Sequence, residues 1–196
     1  MKKRIIVGIT GASGPIYGIR LMEVFSRIPS IETHLVLSDS AGITMSLESP
    51  GWTPARLKAL AHHSHSPADL AAPISSGSFK THGMVVIPCS MKTLGNIAHS
   101  TGGDLLCRAA DVALKERRRL ILVPRETPLH LIHLRNMAAV TEAGAIIAPP
   151  APAFYHQPKT IQDLIDHTIG KVLDLLEIEH DLFQRWGSSR KSRVAK

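Results

Sequence analysis

Cysteine is nearly missing from this chain: Cys89 and Cys107 are the only two among 196 residues. Two thiols cannot build a disulfide scaffold, and no Cys-x-x-Cys pair suggests zinc or dithiol chemistry, so both read as reduced, semi-buried thiols. Aromatic residues make up 4% and do not alternate with the basic ones, which removes the stacking platform that single-stranded nucleic acid needs. No apolar run approaches the ~18 to 20 residues that cross a bilayer. The start, Met1-Lys2-Lys3-Arg4-Ile5-Ile6-Val7, reaches Gly8 too soon for a signal-peptide core. A cytoplasmic location is expected, with neither membrane nor nucleic acid as partner. The formal charge of +7 does not change that, because the last residues skew it. Without the basic residues Arg190, Lys191, Arg193 and Lys196, residues 1–189 carry an ordinary +3.

What is present fits one globular domain: 44% of residues are hydrophobic and 20% charged. The expected domain spans residues 1–186, followed by a basic, disordered tail over 187–196. Four apolar runs read as strands buried on both faces: Arg4–Ile9, Gly83–Ile87, Leu120–Val123 and Ala145–Ala148. Thr33–Ser38 is a fifth. Helical patterns lie between and after them, over Ile16–Ile28, Leu129–Ala143 and Ile161–Leu176. Alternating strand and helix predicts right-handed crossovers, hence a doubly wound α/β fold, Rossmann-like or flavodoxin-like, with a parallel sheet covered on both sides. His62 to Gly77, rich in His, Ser, Ala and Pro, reads as a surface connection.

In such sheets ligands bind beyond the carboxyl ends of the strands. That directs attention to Thr10–Gly14, Ser38-Asp39-Ser40, the Pro88–Thr93 turn, Pro124-Arg125-Glu126 and the segment from Pro149 to Tyr155. Gly11, Ser13 and Gly14 permit a tight strand-to-helix turn whose amides and hydroxyl can meet a phosphate; a plain packed turn with a capping serine is the blander alternative. Arg125-Glu126 sets two opposite charges directly past a buried strand, where Glu126 could carry a proton. The block Lys115–Arg119 reads first as a solvated helix face. His62, His63 and His65 raise a metal question, but sequence offers them no partner cluster, so no metal is expected. The first loop also resembles that of short-chain dehydrogenases, and Tyr155-His-Gln-Pro-Lys159 mimics their Tyr-x-x-x-Lys pair. Pro158 breaks the helix such a pair requires, which demotes a nicotinamide oxidoreductase.

Six ordered motifs together resemble the UbiX/Pad family of flavin prenyltransferases. They are Gly8-Ile-Thr-Gly-Ala-Ser-Gly14 with Tyr17-Gly18, Ser75–Ser78, Pro88-Cys-Ser-Met-Lys-Thr93, Arg108–Arg117, Val123-Pro-Arg-Glu126 and Pro152–Pro158. The resemblance implies an enzyme that binds FMN, reduced for turnover, and joins the dimethylallyl group of dimethylallyl phosphate to its N5 and C6 atoms without a metal. The product, prenylated FMN, would serve UbiD-type decarboxylases. By position, Gly11, Ala12, Ser13, Ser38, Ser90, Met91, Lys92, Thr93 and Arg125 would contact FMN. Arg108, Lys115, Arg125, Tyr155 and Lys171 would clamp the donor phosphate, with Trp186 as a carboxy-terminal wall from a neighbouring subunit. Glu126 and Ser13, facing each other, would move protons, with Glu48 as a second carboxylate. Family likeness also implies a large homo-oligomer, a dodecamer, with sites between subunits. Three positions depart from the family's commonest pattern: Pro15 suits a first helical turn, Asp39 stands where Lys is frequent, and Lys171 replaces Arg, weakening donor binding. The alternatives are a flavin-dependent decarboxylase and a non-catalytic FMN-binding subunit of one; the former predicts a histidine in the first loop, which has none.

Overall fold

The computed structural model describes residues 2–185. In chain order the elements are β1 (Lys3–Ile9), α1 (Pro15–Phe25), β2 (Ile31–Leu37), α2 (Asp39–Glu48), the short α3 (Pro54–Lys58), β3 (His63–His65), a 3-10 turn at Pro73–Ser75, β4 (Gly83–Cys89), α4 (Met91–His99), α5 (Leu105–Lys115), β5 (Arg119–Pro124), α6 (Leu131–Glu142), β6 (Ile146–Ile147) and α7 (Ile161–Leu175). All strand pairs are parallel, and the six-stranded order is β3-β2-β1-β4-β5-β6. That is a doubly wound sheet whose strand order reverses between β1 and β4.

Both faces of the sheet are apolar because side chains alternate along each strand. On β1, Ile5, Val7 and Ile9 join α1, α2 and α7 in one core, while Ile6 joins α4, α5 and α6 in the other. Helix starts follow from local chemistry. Gly14 adopts φ 90°, a left-handed conformation that suits glycine, and Pro15 opens α1 with its ring pre-set for a helix. Ser38, Ser90 and Asp104 each accept an amide proton from the first turn of α2, α4 and α5, respectively. Thr160 and Asp163 form a capping box at α7. Gly18 lets α1 approach the sheet, since a Cβ there would lie 2.5 Å from the Ile87 carbonyl oxygen.

Several sequence expectations shift. α1 ends at Phe25, three residues before the expected Ile28, and α6 begins at Leu131 because His130 takes the capping position. β6 shrinks to Ile146–Ile147. The presumed surface connection contains β3, which pairs with β2 through His34 and His63. Its polar triplet carries no apolar alternation, so pairing, not pattern, makes it a strand. Trp186 and the 187–196 tail lie outside the described residues.

Candidate functional site

The loops at the carboxyl edge of β1 and β4 are tied together where the strand order reverses. Thr10, 2% exposed, donates its hydroxyl to the Pro88 carbonyl at 2.8 Å and accepts the Ser90 amide at 2.8 Å. Ser90 in turn caps α4, accepting the Thr93 amide at 3.2 Å and donating to the Thr93 hydroxyl at 3.0 Å. One buried threonine therefore sets the glycine loop against the amino end of α4. The Arg125 amide donates to the Cys89 carbonyl at 3.3 Å, which brings the Arg125-Glu126 corner to the same edge.

Helix α2 completes this edge. Thr44 donates to the Gly11 carbonyl at 3.2 Å, and Glu48 Oε2 accepts both the Ser13 hydroxyl at 3.0 Å and the Gly14 amide at 2.8 Å. The amino end of α1, an anion site by its dipole and free amides, thus holds a carboxylate of the same chain. Sequence reasoning set Ser13 opposite Glu126. Instead its hydroxyl is committed to Glu48, whereas Glu126, exposed, accepts the neighbouring Thr127 amide at 3.0 Å. Tyr17 packs behind the loop; burial raises its phenol above the usual range, and the Arg125 charge opposes that shift.

A cleft of about 510 Å³ opens beside these loops, lined by Ser38, Ser40, Lys92 and Asp104 among others. Its size is that of a small-ligand pocket. Hydroxyls, the Lys92 ammonium and the amino ends of α2 and α4 face one hollow and suit a phosphorylated nucleotide such as FMN, while the Asp39 and Asp104 carboxylates in the same lining oppose an anion on their side. Met91 and Thr93, in the first turn of α4, and Ala12 in the loop lie at the same edge. A hollow of about 550 Å³ at the opposite edge is a poorer candidate, because its Arg119 is paired with Glu177 at 2.7 Å and its Arg118 with the Phe79 carbonyl at 2.8 Å.

The expected phosphate clamp is not gathered within one chain. Arg108 projects from α5, donating to Asp111 at 2.7 Å and to the Ser75 carbonyl at 3.1 Å. Lys115, which donates to Glu116, closes the same helix, seven residues after Arg108 and so about 10 Å further along the axis. Tyr155 instead bonds His167 of α7, its hydroxyl 2.9 Å from Nε2, and Lys171 stands one turn on, 3.9 Å from Asp174. α5 belongs to one core and α7 to the other, so the sheet separates the two halves of the clamp. His167 is a residue that sequence reasoning missed, and Thr10, singled out only as part of the loop, proves to be its anchor. Thr10 had a signal, a polar residue closing a buried strand directly before glycine. His167 had none beyond its place one turn before Lys171. Burial keeps the His167 imidazole below the ordinary histidine value, helped by His156 and Lys171.

Burial also governs the thiols. Cys89 is pushed up strongly by desolvation, and Cys107, beside Asp104, up to about 12. Neither is a nucleophile at neutral pH.

Comparison with known proteins matches this geometry to a family. Residues 1–185 match the model of the Flavoprotein family. Flavin prenyltransferase UbiX of Escherichia coli strain K12 is 55% identical over 186 residues, 94% of this chain and 98% of that protein. The crystal structure of the dodecameric FMN-dependent UbiX-like decarboxylase from Escherichia coli O157:H7 superposes with a TM-score of 0.91 at 50% identity, covering 93% of this chain and 98% of the other. AnUbiX (PadA1), solved in complex with FMN and dimethylallyl pyrophosphate, gives a TM-score of 0.93 at 49% identity, covering 97% of this chain and all of that one.

Proposed function

The chain belongs to the flavin prenyltransferase (UbiX) family of flavoproteins, and from that premise we propose that it joins the dimethylallyl group of dimethylallyl phosphate to N5 and C6 of reduced FMN. The observation that carries this is the carboxyl edge of the sheet, where Thr10 ties the glycine loop to the amino end of α4 and a cleft lined by Ser38, Ser40 and Lys92 opens at the amino ends of α2 and α4. Gly11, Ala12, Ser13, Ser38, Ser90, Met91, Lys92, Thr93 and Arg125 hold FMN there. Bound and reduced, the flavin supplies the nucleophile.

The rest falls to the chain's own side chains. Arg108, Lys115, Arg125, Tyr155 and Lys171 hold the donor phosphate. As the allylic C–O bond breaks, charge accumulates on phosphate, and fixed cations stabilise that leaving group without a metal. Lys171 meets it as a point charge rather than a bidentate fork. Glu126 carries protons, and Ser13 and Glu48, already hydrogen bonded at 3.0 Å, form a second proton-holding pair. Because the sheet separates Arg108 and Lys115 from Tyr155 and Lys171, a complete clamp needs neighbouring copies, which fits a homo-oligomer such as the dodecamer of the E. coli O157:H7 relative. The product passes to a UbiD-type decarboxylase in the cytoplasm; among the described residues no helix is long and apolar enough to cross a membrane.

The experiment is anaerobic incubation with reduced FMN and dimethylallyl phosphate, followed by flavin mass measurement. A gain of one prenyl unit is expected. An unchanged mass beside an active control enzyme overturns the proposal.

A further inference from the structure

A second cluster of chemistry-bearing side chains lies at the β3 edge of the sheet, in mid-strand rather than at the loops. Glu32 and His34 stand two residues apart on β2, and His63 and His65 two apart on β3, with His34 in register with His63. Side chains alternate along strands, so all four project from one face. Glu32 Oε1 lies 3.1 Å from His34 Nε2 and 3.6 Å from His63 Nε2, and the three donor atoms all fall within 4.8 Å of one another.

We propose that Glu32, His34 and His63 bind one divalent transition-metal ion of the zinc type, with His65 as the outer partner that orients His34. Two ligands about 2.0 to 2.1 Å from a tetrahedral ion stand roughly 3.3 to 3.4 Å apart, close to the two separations at Glu32. Two imidazoles and a carboxylate are a donor set that suits zinc and leave a fourth position for water. The buried wall of the site is already oriented. His34 Nδ1 lies 3.1 Å from His65 Nε2, so a His34 that coordinates through Nε2 keeps its proton on Nδ1 and donates it to His65. The Phe79 edge meets the His34 ring at 5.2 Å and restrains it further. His63, whose side chain is 53% exposed, supplies the entry path.

Arg4 opposes the ion. Its Nε donates to the same Glu32 oxygen at 3.2 Å, and its guanidinium lies 4.7 Å above the Phe79 ring. That cation competes for the carboxylate and repels a metal. The neighbouring His62 is otherwise engaged, its Nδ1 accepting the Thr33 amide at 3.3 Å. A bound ion would fasten the three-residue β3 to β2, away from the flavin loops.

The test uses the full chain without an affinity tag, stripped with a chelator and titrated calorimetrically with Zn²⁺, then with Co²⁺ while its visible ligand-field absorption is followed. One ion per chain is expected, weakened at least about tenfold by His63→Ala and by Glu32→Gln, and tightened by Arg4→Gln. His130 and His133, whose rings stack with centroids 3.5 Å apart at the start of α6, form the competing histidine pair, and His133→Ala should leave binding unchanged. Undiminished binding in His63→Ala, or its loss in His133→Ala, overturns the proposal. FMN titration checks that each variant folds; should Glu32→Gln fail to fold, the exposed His63 decides the outcome.

Discussion

The Ser90 amide donates to Thr10 Oγ1 at 2.8 Å across the point where the strand order reverses, so two loops distant in sequence share one buried hydroxyl. Thr10→Val keeps the shape and removes the acceptor. A buried amide left without a partner costs about 1–3 kcal/mol. Urea unfolding should show that loss, and FMN titration a weaker affinity, because the α4 turn loses its anchor. Wild-type values for both would mean that the bond is incidental.

Gly18 is the point at which α1 touches the sheet. In Gly18→Ala the new Cβ meets the Ile87 carbonyl oxygen, part of the backbone and unable to move aside. Such overpacking costs about 1–3 kcal/mol. Thermal unfolding should shift down accordingly; an unchanged midpoint would show that α1 slides freely on the sheet.

Cys89 and Cys107 are held protonated by burial. At pH 8 both should resist a disulfide reagent in the folded protein and react in denaturant. Rapid release of one thiol equivalent from the native state would contradict the packing described.

The divided clamp makes its own prediction. Arg108→Ala and Tyr155→Phe should each lower prenyl transfer in a uniform assembly. Co-assembled, the two variants should recover activity, because some sites then draw an intact Arg108 from one copy and an intact Tyr155 from another. No recovery in verified mixed assemblies would argue for a clamp closed within a single chain.

Glu126→Gln should retain FMN and slow prenyl transfer by about 10²-fold or more, the usual worth of a positioned proton carrier. Single-turnover kinetics on the loaded enzyme separate that outcome from lost binding, and normal turnover would remove Glu126 from its assigned role.

Much of the fold was legible because apolar runs such as Ile5–Ile9 and Met84–Ile87 are buried on both faces and leave no other assignment. The loops at their carboxyl ends followed, since parallel strands send their chain ends to one edge. β3 was not legible: His63-Ser64-His65 becomes a strand only by lying beside β2, a tertiary fact. The same pairing gives His63 and His65, isolated in sequence, the company of Glu32 and His34. Ser13 illustrates the converse failure. The family resemblance suggested Glu126 as its partner, but the side chain that its hydroxyl meets is Glu48, at the end of α2.

Glu48 carries one more consequence. Because its carboxylate already sits on the Gly14 amide and the Ser13 hydroxyl, any phosphate reaching that helix end must evict an anion tethered to the same chain. Binding there is an exchange, not an addition.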